Sequence, residues 1–221
     1  MQTTNDALIR DLLIPFVHRE HSEAPDTLYF PEFALCGGIT RADYAALNGL
    51  SHGYEIKSDR DTLVRLPQQV EAYNGVFDRA TLVSAQRHTF PAKKIIPDWW
   101  GIIEVHGGEL SGYRLERIRE SSPNPAPRGH AIASLLWRSE ALEILTNLGL
   151  DEGLRSKSMD FLIDRLSREI STDRLSSYVR AALRARGEWR VAARLKRRGD
   201  MFQRPSNPKS YPRIPYGRIS R

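Results

Sequence analysis

With 221 residues, 40% of them hydrophobic and 27% charged, the chain has room for one domain with a real core, or a core and a smaller second domain. Its single cysteine, Cys36, excludes a disulfide framework and a cysteine-based zinc site and fits a reducing cytoplasm, while no basic-then-apolar leader stands at Met1 to Asp11 and no run approaches the roughly 18 apolar residues that span a bilayer. The formal net charge of +6 is unevenly spread: 13 Lys and Arg face 2 acids between Arg180 and Arg221, so a basic end follows an acidic body and a polyanion is the expected partner of that end.

The first predicted element is a helix over Asp6 to His18, where Leu8, Leu12, Leu13, Phe16 and Val17 fall at helical spacing and Pro15 is expected to end or kink it. Thr27 to Leu35 reads as a first strand, turned at Gly37-Gly38. Thr40 to Leu47 is a second, closed by Asn48-Gly49, a pair that tolerates the positive φ of a tight hairpin. His52 to Ser58 is the third. Arg60 to Tyr73 then sets Leu63, Leu66, Val70 and Tyr73 on one side of a helix, with Asp59 or Asp61 to cap it and Pro67 arguing for a late start or a kink. Arg79 to Ala85, Gly101 to Val105 and Tyr113 to Arg119 complete six strands. Helix, three-strand meander, helix, strand, strand predicts an α/β fold over 1–120, a mixed central sheet flanked by helices.

The run Ser-Ser-Pro-Asn-Pro-Ala-Pro-Arg-Gly from Ser121 marks a linker over 121–130. A small all-α region is expected over 131–199. Its stripes are Leu135, Leu136, Leu142, Leu145 and Leu148 before a stop at Gly149, then Met159, Leu162, Ile163, Leu166 and Ile170, then Leu175, Tyr178, Val179, Ala182 and Leu183 closed by Gly187. A fourth short helix is expected over Glu188 to Lys196, and residues 200–221 as a basic, flexible tail.

Three residues on the second and third strands carry chemistry. Glu55 and Lys57 are two apart, so they project from one face. If Asn48-Gly49 closes a tight hairpin, Asp43 comes beside Glu55. Two carboxylates so placed hold a hard divalent cation such as Mg²⁺ or Mn²⁺ through oxygen. Such an ion polarises a phosphodiester and acidifies a bound water, and Lys57 orients that water or meets the developing charge. Read blandly, Glu-x-Lys is an ion pair on an outer strand face.

Taken together, Asp43, then Glu55-Ile56-Lys57, in the order helix, three strands, helix, strand, resembles the restriction-endonuclease-like superfamily, the PD-(D/E)XK nucleases. The following Gln69-Val70-Glu71-Ala72-Tyr73 is similar to the Gln-x-x-x-Tyr signature of its RecB-like branch. The resemblance covers roughly Asp26 to Val105; Ala42 stands where a Pro is often found. It implies a Mg²⁺-dependent endo- or exodeoxyribonuclease, with Asp43, Glu55, Lys57, Gln69 and Tyr73 in the active site and a third acidic ligand. Glu32 is the choice for that ligand, with Glu20 as competitor. The string Tyr-Glu-Ile-Lys-Ser-Asp-x-Asp-Thr-Leu, with Pro-Asp-Trp-Trp-Gly-Ile and Leu-Trp-Arg-Ser-Glu-Ala-Leu later, looks like a narrower group of bacterial proteins with this nuclease-like core.

Other features weigh less. His18 and His21 share a helix face without a third ligand. His52 reads as a turn residue, and Trp99-Trp100 as core rather than a stacking platform. The expected grip on nucleic acid, DNA before RNA, is Arg180, Arg184, Arg194, Lys196, Arg197 and Arg198, cations that hold phosphates without reading sequence. The alternative to a nuclease is a catalytically silent nucleic-acid-binding or partner-binding module of the same fold.

Overall fold

The structure, a computed structural model, describes residues 3–108 and 112–197, and beyond residue 186 the course of the backbone alone. In chain order the elements are α1 (Asp6–Glu20), β1 (Leu28–Leu35), a 3₁₀ turn (Cys36–Gly38), β2 (Thr40–Leu47), β3 (Ser51–Lys57), α2 (Leu66–Val76), β4 (Arg79–Ala85), α3 (Gln86–Ala92), β5 (Gly101–Gly108) and β6 (Gly112–Arg119). Four helices follow: α4 (Gly129–Ala133), α5 (Arg138–Asn147), α6 (Met159–Glu169) and α7 (Thr172–Arg197).

The six strands form one mixed sheet in the order β1-β2-β3-β4-β5-β6. Short connections make the outer pairs antiparallel. Leu47 pairs with Ser51 across the Asn48-Gly49-Leu50 turn, where Gly49 takes φ 130. The crossovers through α2 and α3 make β3, β4 and β5 parallel, as a helical connection allows. Both faces of β4 are covered, which is why Ala80 to Ala85 is buried throughout. On one face Ile9, Leu13 and Val17 of α1 pack on Tyr44, Tyr54, Ile56, Val83 and Ile103. On the other, Leu66, Val70, Tyr73 and Phe77 meet Leu82, Ile102 and Trp100. The α/β class with a helical C-terminal region is therefore as the periodicity predicts.

The helices depart from expectation in instructive ways. Pro15 does not end α1, which runs on to Glu20. Pro15 and Asp11, whose carbonyl loses its partner, both face water, while the buried stripe Ile9-Leu13-Val17 continues. α2 starts late, at Leu66, with Pro67 in the first turn, where a missing N–H costs nothing. Neither expected cap is used. Asp59 accepts from Thr4 N at 2.8 Å, and Asp61 from Ser58 N at 2.8 Å, tying down the loop instead. The short α3 has no apolar period to announce it. α7 passes through Gly187 without a break, so the separate helix expected from Glu188 is its continuation. The tail over 200–221 lies outside the described residues.

The segment after β6 is strapped down. Asn124 Nδ2 donates to Asn74 O and Phe77 O at 2.8 Å each, satisfying carbonyls at the end of α2. Arg128 donates to Glu71 O at 2.9 Å. The helices beyond pack on the sheet edge, with Leu47 in one cluster with Ile132, Leu145, Leu166 and Val179, and Leu28, Phe30 and Phe33 of β1 against it.

Candidate active site

The β2–β3 ladder runs from Leu47–Ser51 to Tyr44–Tyr54. One step on, Asp43 stands across from Glu55, and the ladder stops. Asp43 Oδ2 accepts from Ile56 N at 2.7 Å, so a carboxylate occupies the place of the next main-chain acceptor. On β3, Glu55 and Lys57 share a face and are 0% and 4% exposed. Lys57 Nζ lies 2.5 Å from Glu55 Oε1. Tyr73, reaching down from α2, holds its hydroxyl 2.8 Å from Glu55 Oε2 and 3.0 Å from Tyr54 O. Gln69 sits one turn earlier on the same helical face. Its Oε1 is buried and without a hydrogen-bond partner among the described residues.

Burial of these charges distorts their titration. Asp43 is pushed up to about 7, first by burial and then by the charge of Glu55, with the Ile56 N–H and Lys57 pulling the other way. Glu55 is raised by burial, opposed chiefly by Lys57 and Tyr73. The Tyr73 hydroxyl is held well above its usual range by burial and by Glu55. Two buried carboxylates side by side, the charge of one raising the pKa of the other, form a site where a cation is welcome. Both donors are oxygen, which suits a hard divalent ion whose remaining positions go to water or substrate.

The sheet places Glu32 on the same row. It falls between the pairs Pro31–Tyr44 and Phe33–Ala42, across from Asp43, and takes φ 52. Its carboxylate is nevertheless held by Arg10 Nη2 at 2.9 Å, and no three His, Cys, Asp or Glu among the described residues are grouped to hold an ion. Glu32 is therefore not brought in as a third ligand. Glu20 is further still, paired with Arg117. Arg10 is the site residue that sequence reasoning missed. Besides Glu32 it donates through Nη1 to Asp43 O at 2.7 Å, and its Nη2 lies 3.9 Å from Asp43 Oδ1. Its only signal in the sequence is an i,i+4 pair with Asp6, which reads as a solvated helix face.

The remaining candidates are structural. His18 Nε2 meets Tyr44 Oη at 3.0 Å and His21 Nδ1 meets Asn48 at 2.9 Å. His52 lies half-buried on β3 against Thr81 and Tyr54 and is pushed down to about 3 by desolvation, a neutral strand residue rather than a turn residue. Trp100 is core, its indole donating to Asn74 Oδ1 at 2.9 Å. The expected grip is not at this site. Arg180 pairs with Asp78 at 3.2 Å and Arg184 donates to Asp26 O at 3.0 Å. Asp78 and Asp26 lie where β4 and β1 begin, at the Ser51 end of β3, opposite Lys57. The side chains of Arg194, Lys196 and Arg197, and all of Arg198, lie outside the described residues.

The family described as Bacteriophage P4 protein cII matches residues 1–206. Protein cII of Enterobacteria phage P4 is 26% identical over 144 residues, which are 64% of this chain and 54% of that protein. The chain thus spans about half the length of the curated relative it matches. Among solved structures, the SPO1766 protein of unknown function from Silicibacter pomeroyi is 20% identical, with a TM-score of 0.38, covering 72% of this chain and 100% of that one. Among the described residues no helix is long and apolar enough to cross a membrane.

Proposed function

The chain belongs to the Bacteriophage P4 protein cII family, and we propose that it is a metal-dependent nuclease that hydrolyses phosphodiester bonds, of DNA before RNA. One observation carries the reading: Asp43, Glu55 and Lys57 converge, largely out of water, where the β2–β3 ladder ends. A core placed for stability alone would hold apolar residues there, because burying charge is costly. Perturbed carboxylates gathered in one place are characteristic of chemistry. The resemblance to the restriction-endonuclease-like superfamily points the same way.

On this reading Asp43 and Glu55 hold Mg²⁺ or Mn²⁺, which supplies polarisation of the phosphate and a more acidic water. Lys57, beside Glu55, would donate a hydrogen bond to the attacking water or to charge growing on phosphate oxygens. Tyr73 keeps Glu55 aimed through Oε2. Gln69, with a buried carbonyl oxygen free of partners among the described residues, is placed to accept a hydrogen bond from water or substrate. Such a substrate places the work in the cytoplasm.

A specific observation favours the silent binding module as second reading. Lys57 already neutralises Glu55, and Arg10 stands on Asp43, so the set is internally paired. Purified protein with plasmid and single-stranded DNA, in Mg²⁺, Mn²⁺ or EDTA, separates the two. The nuclease gives cleavage that needs the metal and drops at least 10²-fold in Asp43→Asn and Lys57→Met, as loss of a transition-state contact does. Absence of cleavage, or cleavage unchanged in both variants, removes the nuclease reading.

A further inference from the structure

Two loops stand at the end of the sheet where Asp43 and Lys57 lie. One is the turn between β1 and β2, which leads through Ile39 to Arg41. The other runs from Ser58 to Arg65, between β3 and α2. Both lie at that end because β2 begins where β3 ends, and Leu35, Cys36 and Ala42 beside the first and Leu63 and Leu66 beside the second contribute to one hydrophobic cluster.

Each loop shows water an apolar tip beside an unpaired arginine. Ile39 is 82% and Val64 84% exposed, the highest values among the large hydrophobic residues described. A single exposed aliphatic residue is ordinary. Here there are two, at the end of the sheet that carries Asp43 and Lys57, in a fold that buries Leu35 and Leu66 completely. Arg41, Arg60 and Arg65 are exposed, and none forms an ion pair among the described residues. Arg41 is two residues before Asp43 on β2. Arg65 stands close enough to favour the charge on Glu55. By contrast, Arg180 and Arg184 are spent on Asp78 and on Asp26 O at the other end of the strands.

We propose that these two loops are a jaw for a polynucleotide strand, whose phosphates meet Arg41, Arg60 and Arg65 and whose unstacked bases rest on Ile39 and Val64. A guanidinium fork matches two phosphate oxygens. Aliphatic tips beside such forks offer apolar contact to base faces, which a single strand or frayed end leaves unstacked and open. An acidic peptide would satisfy the arginines but bring no faces for the tips. The inference deepens the nuclease reading by naming what the site receives, and rests on it only for what happens after binding.

The test is binding of a fluorescent oligonucleotide to the full chain in EDTA, single-stranded and duplex, across a salt series. Arg41→Ala/Arg65→Ala is expected to bind the single strand about tenfold more weakly, with a log–log salt slope smaller by roughly 1.4, two contacts at about 0.7 each. Arg41→Lys/Arg65→Lys keeps most of the affinity, and Arg168→Ala on α6 keeps all of it. Ile39→Ser/Val64→Ser loses the preference for single strand over duplex. Thermal midpoints like that of the parent chain establish that these surface variants fold. Unchanged affinity in the double alanine variant, or polyglutamate competing as well as DNA, overturns the jaw. A parent chain that binds through the jaw but never cleaves removes the nuclease and leaves the jaw. One that cleaves with binding indifferent to Arg41 and Arg65 does the reverse.

Discussion

At Asp43 the fold keeps a carboxylate where the ladder wants a carbonyl, and burial with Glu55 lifts its pKa from 3.8 to about 7. Because the folded value lies above the unfolded one, the native state binds more protons between these two values. Stability therefore falls as pH rises from about 4 to about 7. Below that window the group is protonated in both states; above it the full penalty, roughly 4 kcal/mol, is present. Asp43→Asn removes the penalty, so its advantage over the parent chain should grow across the window in denaturant titrations without divalent ions. A difference that stays flat with pH would mean that Asp43 ionises like a free carboxylate. At pH 8, Mg²⁺ should raise the thermal midpoint of the parent chain, and not of Asp43→Asn, because a ligand bound only to the native state stabilises it. Most of this site was legible in the sequence. Glu55 and Lys57 are fixed by strand parity, Tyr73 by the turn from Gln69, and Asp43 by the hairpin. Arg10 was not, because its reach to residue 43 depends on how α1 crosses the sheet.

Among the elements, the contact of α2 with β3 holds the site. Gly53 lies two residues before Glu55, and a Cβ there would stand 2.5 Å from two carbons of the Phe77 ring. Phe77 closes α2 one turn after Tyr73 and is itself buried, so it has nowhere to retreat. Gly53→Ala should cost about 1–3 kcal/mol in chemical denaturation, as overpacking does. It should also loosen Tyr73 on Glu55, visible as a lower Tyr73 pKa in ultraviolet titration. A variant as stable as the parent would show that the helix slides freely. Strand boundaries came closest to the sequence reading: Thr40–Leu47 and Arg79–Ala85 are where turn residues and apolar runs put them. Helix boundaries strayed where Pro15 and Gly187 act through their surroundings, whereas Pro67 marked the late start of α2 as expected. Pro15 faces water, Pro67 sits in a first turn, and a single glycine costs a helix only about 1 kcal/mol.

For the whole molecule, the question is how the helical region joins the sheet. Arg186 of α7 pairs with Glu140 of α5, donates to Leu135 O at 2.9 Å and stacks 4.1 Å from the Trp137 ring. Glu140 also accepts from Trp137 N at 2.7 Å, capping α5. Both side chains are mostly buried, so Glu140→Gln leaves a guanidinium without its counter-charge and should destabilise by about 3 kcal/mol. The shared cluster of Leu47 with Ile132 and Val179 makes one unfolding transition the expected form of that loss, seen alike by far-ultraviolet dichroism and tryptophan fluorescence. Two separated transitions would mean that helices and sheet unfold independently.

Hydrophobic period, turn chemistry and the Asp43–Glu55–Lys57 spacing by themselves determined the class of fold, the order of its strands along the chain and the strand face that carries charge. These are local properties, set within a few residues of sequence. Only the tertiary structure decided that Arg10 rather than a metal-ligating geometry claims Glu32, and that Arg180 and Arg184 clamp the far end of the strands. It also decided that Ile39, Arg41, Val64 and Arg65 stand exposed at the end of the sheet that carries Asp43 and Lys57. Each of these depends on distances between elements remote in the chain, which packing sets and no short window of sequence contains.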